Sequence, residues 1–199
     1  LEGVAGNDVL IGGAGSDLIE GGEGDDTLKG RGGADRIIGG AGKDNITGGA
    51  DNDIITGGSG DDQIRGNAGD DYLSGGLDQD TLYGGMGNDE ILGGTEDDLI
   101  ISDAGNDTLV GGDGFDTVTF EDVTSSLNVN LAAGFANNAE TGNDTLATLE
   151  KVIAGSGDDT LVGDDGVNIL EGRAGNDTLS GGAGHDTLDG GSGVDTLDY

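Results

Sequence analysis

Cysteine, proline and tryptophan are absent from the 199 residues, and the chain holds only three phenylalanines, three tyrosines and one methionine. Without cysteine there are no disulfides and no thiolate metal sites. Aromatic residues at 3% and hydrophobic residues at 32% argue against an ordinary globular core. Basic side chains are also scarce: 7 lysines and arginines stand against 41 aspartates and glutamates, a formal net charge of -34. That balance disfavours nucleic acid, because phosphates and carboxylates repel, and it disfavours anionic membrane surfaces. Its natural partners are cations. No apolar run approaches the roughly 18 residues of a membrane-spanning helix, and no signal peptide is visible. The chain opens at Leu1 without methionine and stops mid-pattern at Tyr199, which reads as a piece of something longer.

What abounds is glycine, with 46 residues. Low hydrophobicity with high net charge ordinarily marks disorder, and this much glycine ordinarily marks low complexity. Both readings assume no pattern, and here the pattern is strict. From Gly3 to Thr119 the chain divides into 13 consecutive nonapeptides. The sixth place is aspartate in every one: Asp8, Asp17, Asp26, Asp35, Asp44, Asp53, Asp62, Asp71, Asp80, Asp89, Asp98, Asp107 and Asp116. The eighth is always aliphatic, from Leu10 and Ile19 to Leu109 and Val118. The first is glycine in all but one, where Ser102 stands.

Five further units cover 154–198, with Asp159, Asn168, Asp177, Asp186 and Asp195 at the sixth place and leucine at every eighth. Asp116 and Asp159 lie 43 residues apart, which is not a multiple of nine. The arrays 3–119 and 154–198 are therefore out of phase across a non-repeat connecting segment, 120–153. Within it, Leu127-Asn128-Val129-Asn130-Leu131 alternates as a strand does. Leu146, Leu149 and Val152 line either one face of a helix turn or a loose coil.

The unit is GGxGxDxUx, with U a large aliphatic residue. On these residues the chain resembles the RTX (repeats-in-toxin) family over roughly four fifths of its length. The resemblance implies an all-β, right-handed parallel β-roll solenoid with two sheets of short strands and a non-repeat insertion. The residues agree with that architecture. In the last three residues of a unit, such as Leu18-Ile19-Glu20, the middle side chain faces one way and its neighbours the other. One aliphatic residue per strand then points inward. The glycine-rich first six residues form a turn. Two strands and two turns make a coil of 18 residues, and coils stack at about 4.8 Å. Odd units line one sheet and even units the other. Asp8, Asp26, Asp44, Asp62, Asp80, Asp98 and Asp116 fall on one edge, and Asp17, Asp35, Asp53, Asp71, Asp89 and Asp107 on the opposite edge.

Carboxylates stacked this closely repel once desolvated, so something must neutralise them. The columns offer only oxygen, which suits a hard cation, and flexible multi-oxygen ligation favours Ca²⁺ over Mg²⁺. The resemblance implies that each Ca²⁺ sits between turns n and n+2. It would take aspartates from both, with backbone carbonyls of turn residues such as Gly22, Gly24, Gly40 and Gly42. Pairing neighbours along both edges of both arrays gives up to about a dozen ions. An Asn168–Asp186 site should be weaker, because an amide brings no charge. One aliphatic side chain per nine residues is a thin core, so ion binding and folding are expected to be a single event.

Asp51, Asp78 and Glu96 replace glycine at the fourth place. Aspartate tolerates left-handed φ; the alternative is extra ligation, which Asp78 and Glu96 sharing one edge in successive coils favours. His185 is the only histidine and sits at a turn position, and no HExxH motif exists to give it a zinc role. Asn-Asp-Thr at 106–108, 143–145 and 176–178 is a product of the repeat, not a signal for glycosylation. No plausible nucleophile–base pair is present, so the chain is expected not to be an enzyme.

The resemblance further implies a segment of a bacterial protein exported by type I secretion machinery, secreted or held at the cell surface, and working beside other domains of its parent. It is expected not to insert in membranes or to bind nucleic acid. Bare solenoid ends invite end-to-end self-association. The alternative function is an adhesin or polysaccharide-binding module. Lys29 and Arg65 share a face that suits an acidic polysaccharide, whereas Tyr72 and Tyr83 face opposite ways and form no sugar platform.

Overall fold

A computed structural model describes residues 1–199. It is all strand and turn, with no helix, and the strands form two sheets of 13 and 10 strands. Even-unit strands follow one another in the larger sheet and odd-unit strands in the smaller one. Every pairing within the first array is parallel with a register of 18 residues, as in Ile46↔Ile64 and Leu73↔Ile91. This is the two-sheet solenoid that the period demands.

Most strands of the first array are longer than the three residues expected; only Leu99–Ile101, which Ser102 follows, and the last, Thr117–Thr119, keep three. Asn45–Ala50 and Gln63–Ala68, for instance, run six residues, from the seventh place of one unit to the third of the next. The turn shrinks to the three residues that end in the aspartate. The cause lies in the two glycines that open each unit. Without side chains they let successive coils approach, so the backbone ladder continues through Gly40↔Gly58 and Gly58↔Gly76. The second glycine bends the strand at positive φ, 120° at Gly40 and 127° at Gly58. In the second array the strands keep three residues, as in Thr160–Val162 and Thr178–Ser180.

The core is one column. From Ile19 to Val118 every eighth-place side chain is at most 1% exposed. The segment 120–153 adds Phe120, Val123, Leu127, Val129, Ala136, Leu146, Leu149 and Val152 to the same cluster. Because each such side chain packs between the coils above and below it, Ile64→Ala leaves a cavity that neither neighbour can fill. It is expected to cost about 2–5 kcal/mol, read as a lower denaturant midpoint. An unchanged midpoint would show that the column does not carry stability.

Segment 120–153 does not leave the solenoid. In the smaller sheet, Thr117–Thr119 pairs with Lys151–Ile153, which pairs with Ile169–Glu171, all parallel. In the larger sheet, Thr108–Asp113 pairs in parallel with Gly142–Ala147. Phe135–Asn138 and Asn128–Asn130 then continue it as antiparallel strands, and the latter pairs in parallel with Thr160–Val162. The strand anticipated at 127–131 is Asn128–Asn130. Leu146 and Val152 occupy inward strand positions of one coil, with Leu149 buried in the bend between them. Neither a helix turn nor a loose coil describes them, because the coil simply continues.

Candidate metal centre

Each sixth-place aspartate ends a turn and points inward, not to solvent. Asp26, Asp35, Asp44, Asp53, Asp62, Asp71, Asp80, Asp89, Asp98, Asp107, Asp116, Asp159 and Asp177 are at most 3% exposed. Asp8, Asp17, Asp186 and Asp195, near the two ends of the solenoid, are half-buried. A ladder of hydrogen bonds fixes their geometry. The N–H of Asp44 donates to Asp62 Oδ1 at 2.8 Å, and that of Asp62 to Asp80 Oδ1 at 2.8 Å. On the other edge Asp35, Asp53 and Asp71 repeat the pattern at 2.7–2.8 Å. The two columns expected from the spacing are thus brought together, one on each edge.

One oxygen per carboxylate is spoken for in this way; the other is not. Oδ2 of thirteen of these aspartates is buried without a hydrogen-bond partner: all from Asp8 to Asp116 except Asp17 and Asp107, and again Asp159 and Asp177. A buried charged oxygen without a partner is among the most costly features a fold can carry. Its surroundings make the cost worse. A methyl group placed on Gly57 would overlap both Asp62 Oδ2 and the carbonyl oxygen of Gly75. The same holds at Gly39 for Asp44 Oδ2 and Gly57 O, and at Gly66 for Asp71 Oδ2 and Gly84 O. At these first-place glycines two acceptors therefore lie side by side, and the carboxylate oxygen has no donor. First-place glycine is required because any side chain would fill the space that these oxygens line.

Burial pushes these carboxyls up, against the ladder N–H, which favours the charged form; neighbouring carboxylates add to the rise. Asp53, Asp62 and Asp80 are raised to about 7, and Asp44, Asp71, Asp98, Asp107 and Asp159 to about 6. Oxygen-only donors, missing counter-charge and carbonyls turned toward the carboxylate fit a hard divalent cation. No three carboxylate, imidazole or thiolate groups converge on one point, so an ion held here would need backbone oxygens to complete its set. Of the turn glycines named from the sequence, Gly22, Gly24, Gly40 and Gly42 all have positive φ, 113–123°. Their carbonyls run coil to coil: Gly22 O faces the α-carbon of Gly40, and Gly24 O that of Gly42.

The fourth-place substitutions keep the turn. Asp51, Asp78 and Glu96 have φ of 74°, 73° and 73°. The side chains of Asp51 and Asp78 accept the N–H of Gly33 and Gly60 in the preceding coil, at 3.1 and 3.0 Å. They brace turns, and Glu96 adopts the same left-handed backbone. His185 is exposed.

A scan against known families matches the RTX calcium-binding nonapeptide repeat (4 copies) at residues 2–37, 20–55, 29–64, 47–82, 56–91, 83–118, 150–179 and 162–197. Together the matches cover 2–118 and 150–197, well over half of the chain. The chain belongs to the RTX calcium-binding repeat family. Comparison with curated proteins found no match. RTX repeats form a structural calcium-binding module and occur in secreted bacterial proteins. No helix is long and apolar enough to cross a membrane.

Two sixth-place acids of this RTX roll escape the nonapeptide frame. Asp144 Oδ1 accepts the N–H of Asp107 at 3.1 Å, and Glu150 Oε2 accepts that of Asp116 at 2.9 Å. They extend the two columns at offsets of 37 and 34 residues. The Asn-Asp-Thr-Leu of 143–146, which repeats 106–109, was the signal that marks Asp144. Asn168 Oδ1 accepts the N–H of Asp164 in its own turn at 2.8 Å, so no ladder bond reaches it from Glu150, while its own N–H still donates to Asp186 Oδ1 at 2.9 Å.

Proposed function

We propose that the chain is a non-catalytic β-roll module that folds on binding extracellular Ca²⁺ and thereby aids the export and folding of a type I-secreted protein. One observation carries this: buried, unpartnered Oδ2 atoms recur along both edges, most of them facing a glycine carbonyl. Without a cation the coils hold repelling oxygens apart only at a cost; with one, the same oxygens bind adjacent coils. The sixth-place aspartates would hold the ions, with turn carbonyls completing the set. When bound, the ion supplies counter-charge and links coils; no chemistry is performed. At low cytosolic Ca²⁺ the chain stays extended and threads a narrow conduit. Outside, at sites of about 10⁻⁴–10⁻³ M affinity, it folds and cannot slide back.

The test is far-UV circular dichroism at neutral pH in chelator and in millimolar calcium. A β signal that appears only with calcium, with magnesium a poor substitute, is the expected result. Equal β signal in chelator and in calcium ends the proposal.

A further inference from the structure

The two edges differ where segment 120–153 joins the arrays. On the odd edge, Asp116 is 0% exposed and its Oδ2 has no partner. First-place Gly111 is retained beside it, and a methyl group there would overlap Asp116 Oδ2 and Thr148 O. Thr148 O thus stands where most regular coils present a first-place glycine carbonyl. Its placement is enforced: Thr148 adopts φ 48°, rare for a β-branched residue, and its Oγ1 accepts the N–H of Gly112 at 2.9 Å. Glu150 Oε2 takes the ladder bond from the N–H of Asp116. The backbone N–H groups of Glu150 and Lys151 both close on Asp116 O, at 3.1 and 2.9 Å. Three residues fewer than a full unit separate Thr148 from the end of Ile153, and the longer glutamate arm makes up the reach.

On the even edge at the same level the cradle is filled. Ser102 is the one first-place residue of the first array with a side chain, and it is buried. Its hydroxyl donates to Asp144 Oδ2 at 3.4 Å, and Asp144 has no unpartnered oxygen as its counterparts do. One coil further, Leu127 stands at the sixth place. Its N–H still donates to Asp159 Oδ1 at 2.8 Å, but its side chain brings only methyl groups to the core. Ala154, at the first place before Asp159, is also buried with its methyl.

We propose, on the basis of the calcium reading above, that the splice holds one divalent-cation site outside the nonapeptide pattern, built on the odd edge from Asp116 Oδ2, the Glu150 carboxylate and Thr148 O. The even edge is closed at that level by Ser102 and Leu127 without an ion. The odd ladder then runs one site into the splice, as far as Glu150, before it breaks at Asn168, whereas the even ladder stops a coil earlier, at Asp107.

Crystals of the full chain grown with terbium as a calcium substitute test this by anomalous density, and terbium titration of Glu150→Gln and Asp144→Asn gives a second readout in solution. Expected are density between Asp116 and Glu150, none between Asp107 and Asp144, loss of one ion from the stoichiometry of Glu150→Gln, and an unchanged stoichiometry in Asp144→Asn. A regular ladder filled elsewhere but empty at Asp116–Glu150, or density at Asp107–Asp144, overturns the inference while leaving the calcium reading intact. Absence of terbium from every site overturns both.

Discussion

Stripped of metal, the chain is expected to gain sheet structure as pH falls from about 7 to 5. Nine sixth-place carboxyls are raised to about 6 or 7 by burial: Asp44, Asp53, Asp62, Asp71, Asp80, Asp98, Asp107, Asp144 and Asp159. In the unfolded chain the same groups titrate near 3.8. The fold therefore takes up protons, so this contribution to stability is fully present below about 3.8 and is lost as pH rises through 6 to 7. A proton on Oδ2 does part of what a cation does: it removes the charge and supplies a donor toward the glycine carbonyl. With calcium present the sign reverses, because protons and metal compete for the same oxygens, and apparent affinity falls about tenfold per pH unit for each proton displaced. Circular dichroism of metal-free protein at pH 7.5 and 5.0 checks the first sign, and calcium titrations at the same two values check the second. Working at pH 5.0 keeps the chain above its isoelectric point of about 4.1, where it stays charged and dispersed. A metal-free chain as unfolded at pH 5.0 as at 7.5 would mean that desolvated carboxylates are not what holds the coils apart.

The repeat was legible because its signal is arithmetic. A period of nine that alternates faces forces a period of eighteen along each edge, and the registers Asp26 to Asp44 and Asp35 to Asp53 follow from that alone. Strand length was not legible. Gly-Gly reads as a turn, and only the absence of Cβ between stacked coils lets Gly40↔Gly58 stay in the ladder. The direction of the carboxylates was half legible: their neutralisation by an ion was implied, but burial to a few per cent depends on the empty space at first-place glycines such as Gly57. Asp144 and Glu150 were hidden because 37 and 34 residues break the period, while the strands they precede remain in register with Leu109 and Val118. A solenoid is indifferent to how far the chain wanders between coils, provided that each inward residue returns above the last.

Asp62→Ala is expected to cut the odd ladder, and Asp62→Asn to separate the two roles of that carboxylate. Asp62 Oδ1 accepts the N–H of Asp44, and Asp62 N–H donates to Asp80 Oδ1. Alanine removes the acceptor and leaves a buried N–H unpaired, which costs about 1–3 kcal/mol. It also removes an oxygen from every ion that touches Asp62. In calcium it should therefore lower the denaturant midpoint and raise the calcium concentration needed to fold several-fold. Asparagine keeps Oδ1 for Asp44 and replaces the unpartnered Oδ2 with an NH₂ that points at the Gly75 carbonyl. No charge is then buried and the acceptor facing it gains a donor. Metal-free Asp62→Asn should be more stable than the metal-free parent, yet bind calcium more weakly. Asn168 is this chain's own instance of an amide in the column. Paired denaturation curves of parent, Asn and Ala variants in chelator and in calcium decide the matter. If asparagine destabilises both states equally, Oδ2 is not the oxygen that waits for an ion, and the carbonyl it faces is only a neighbour.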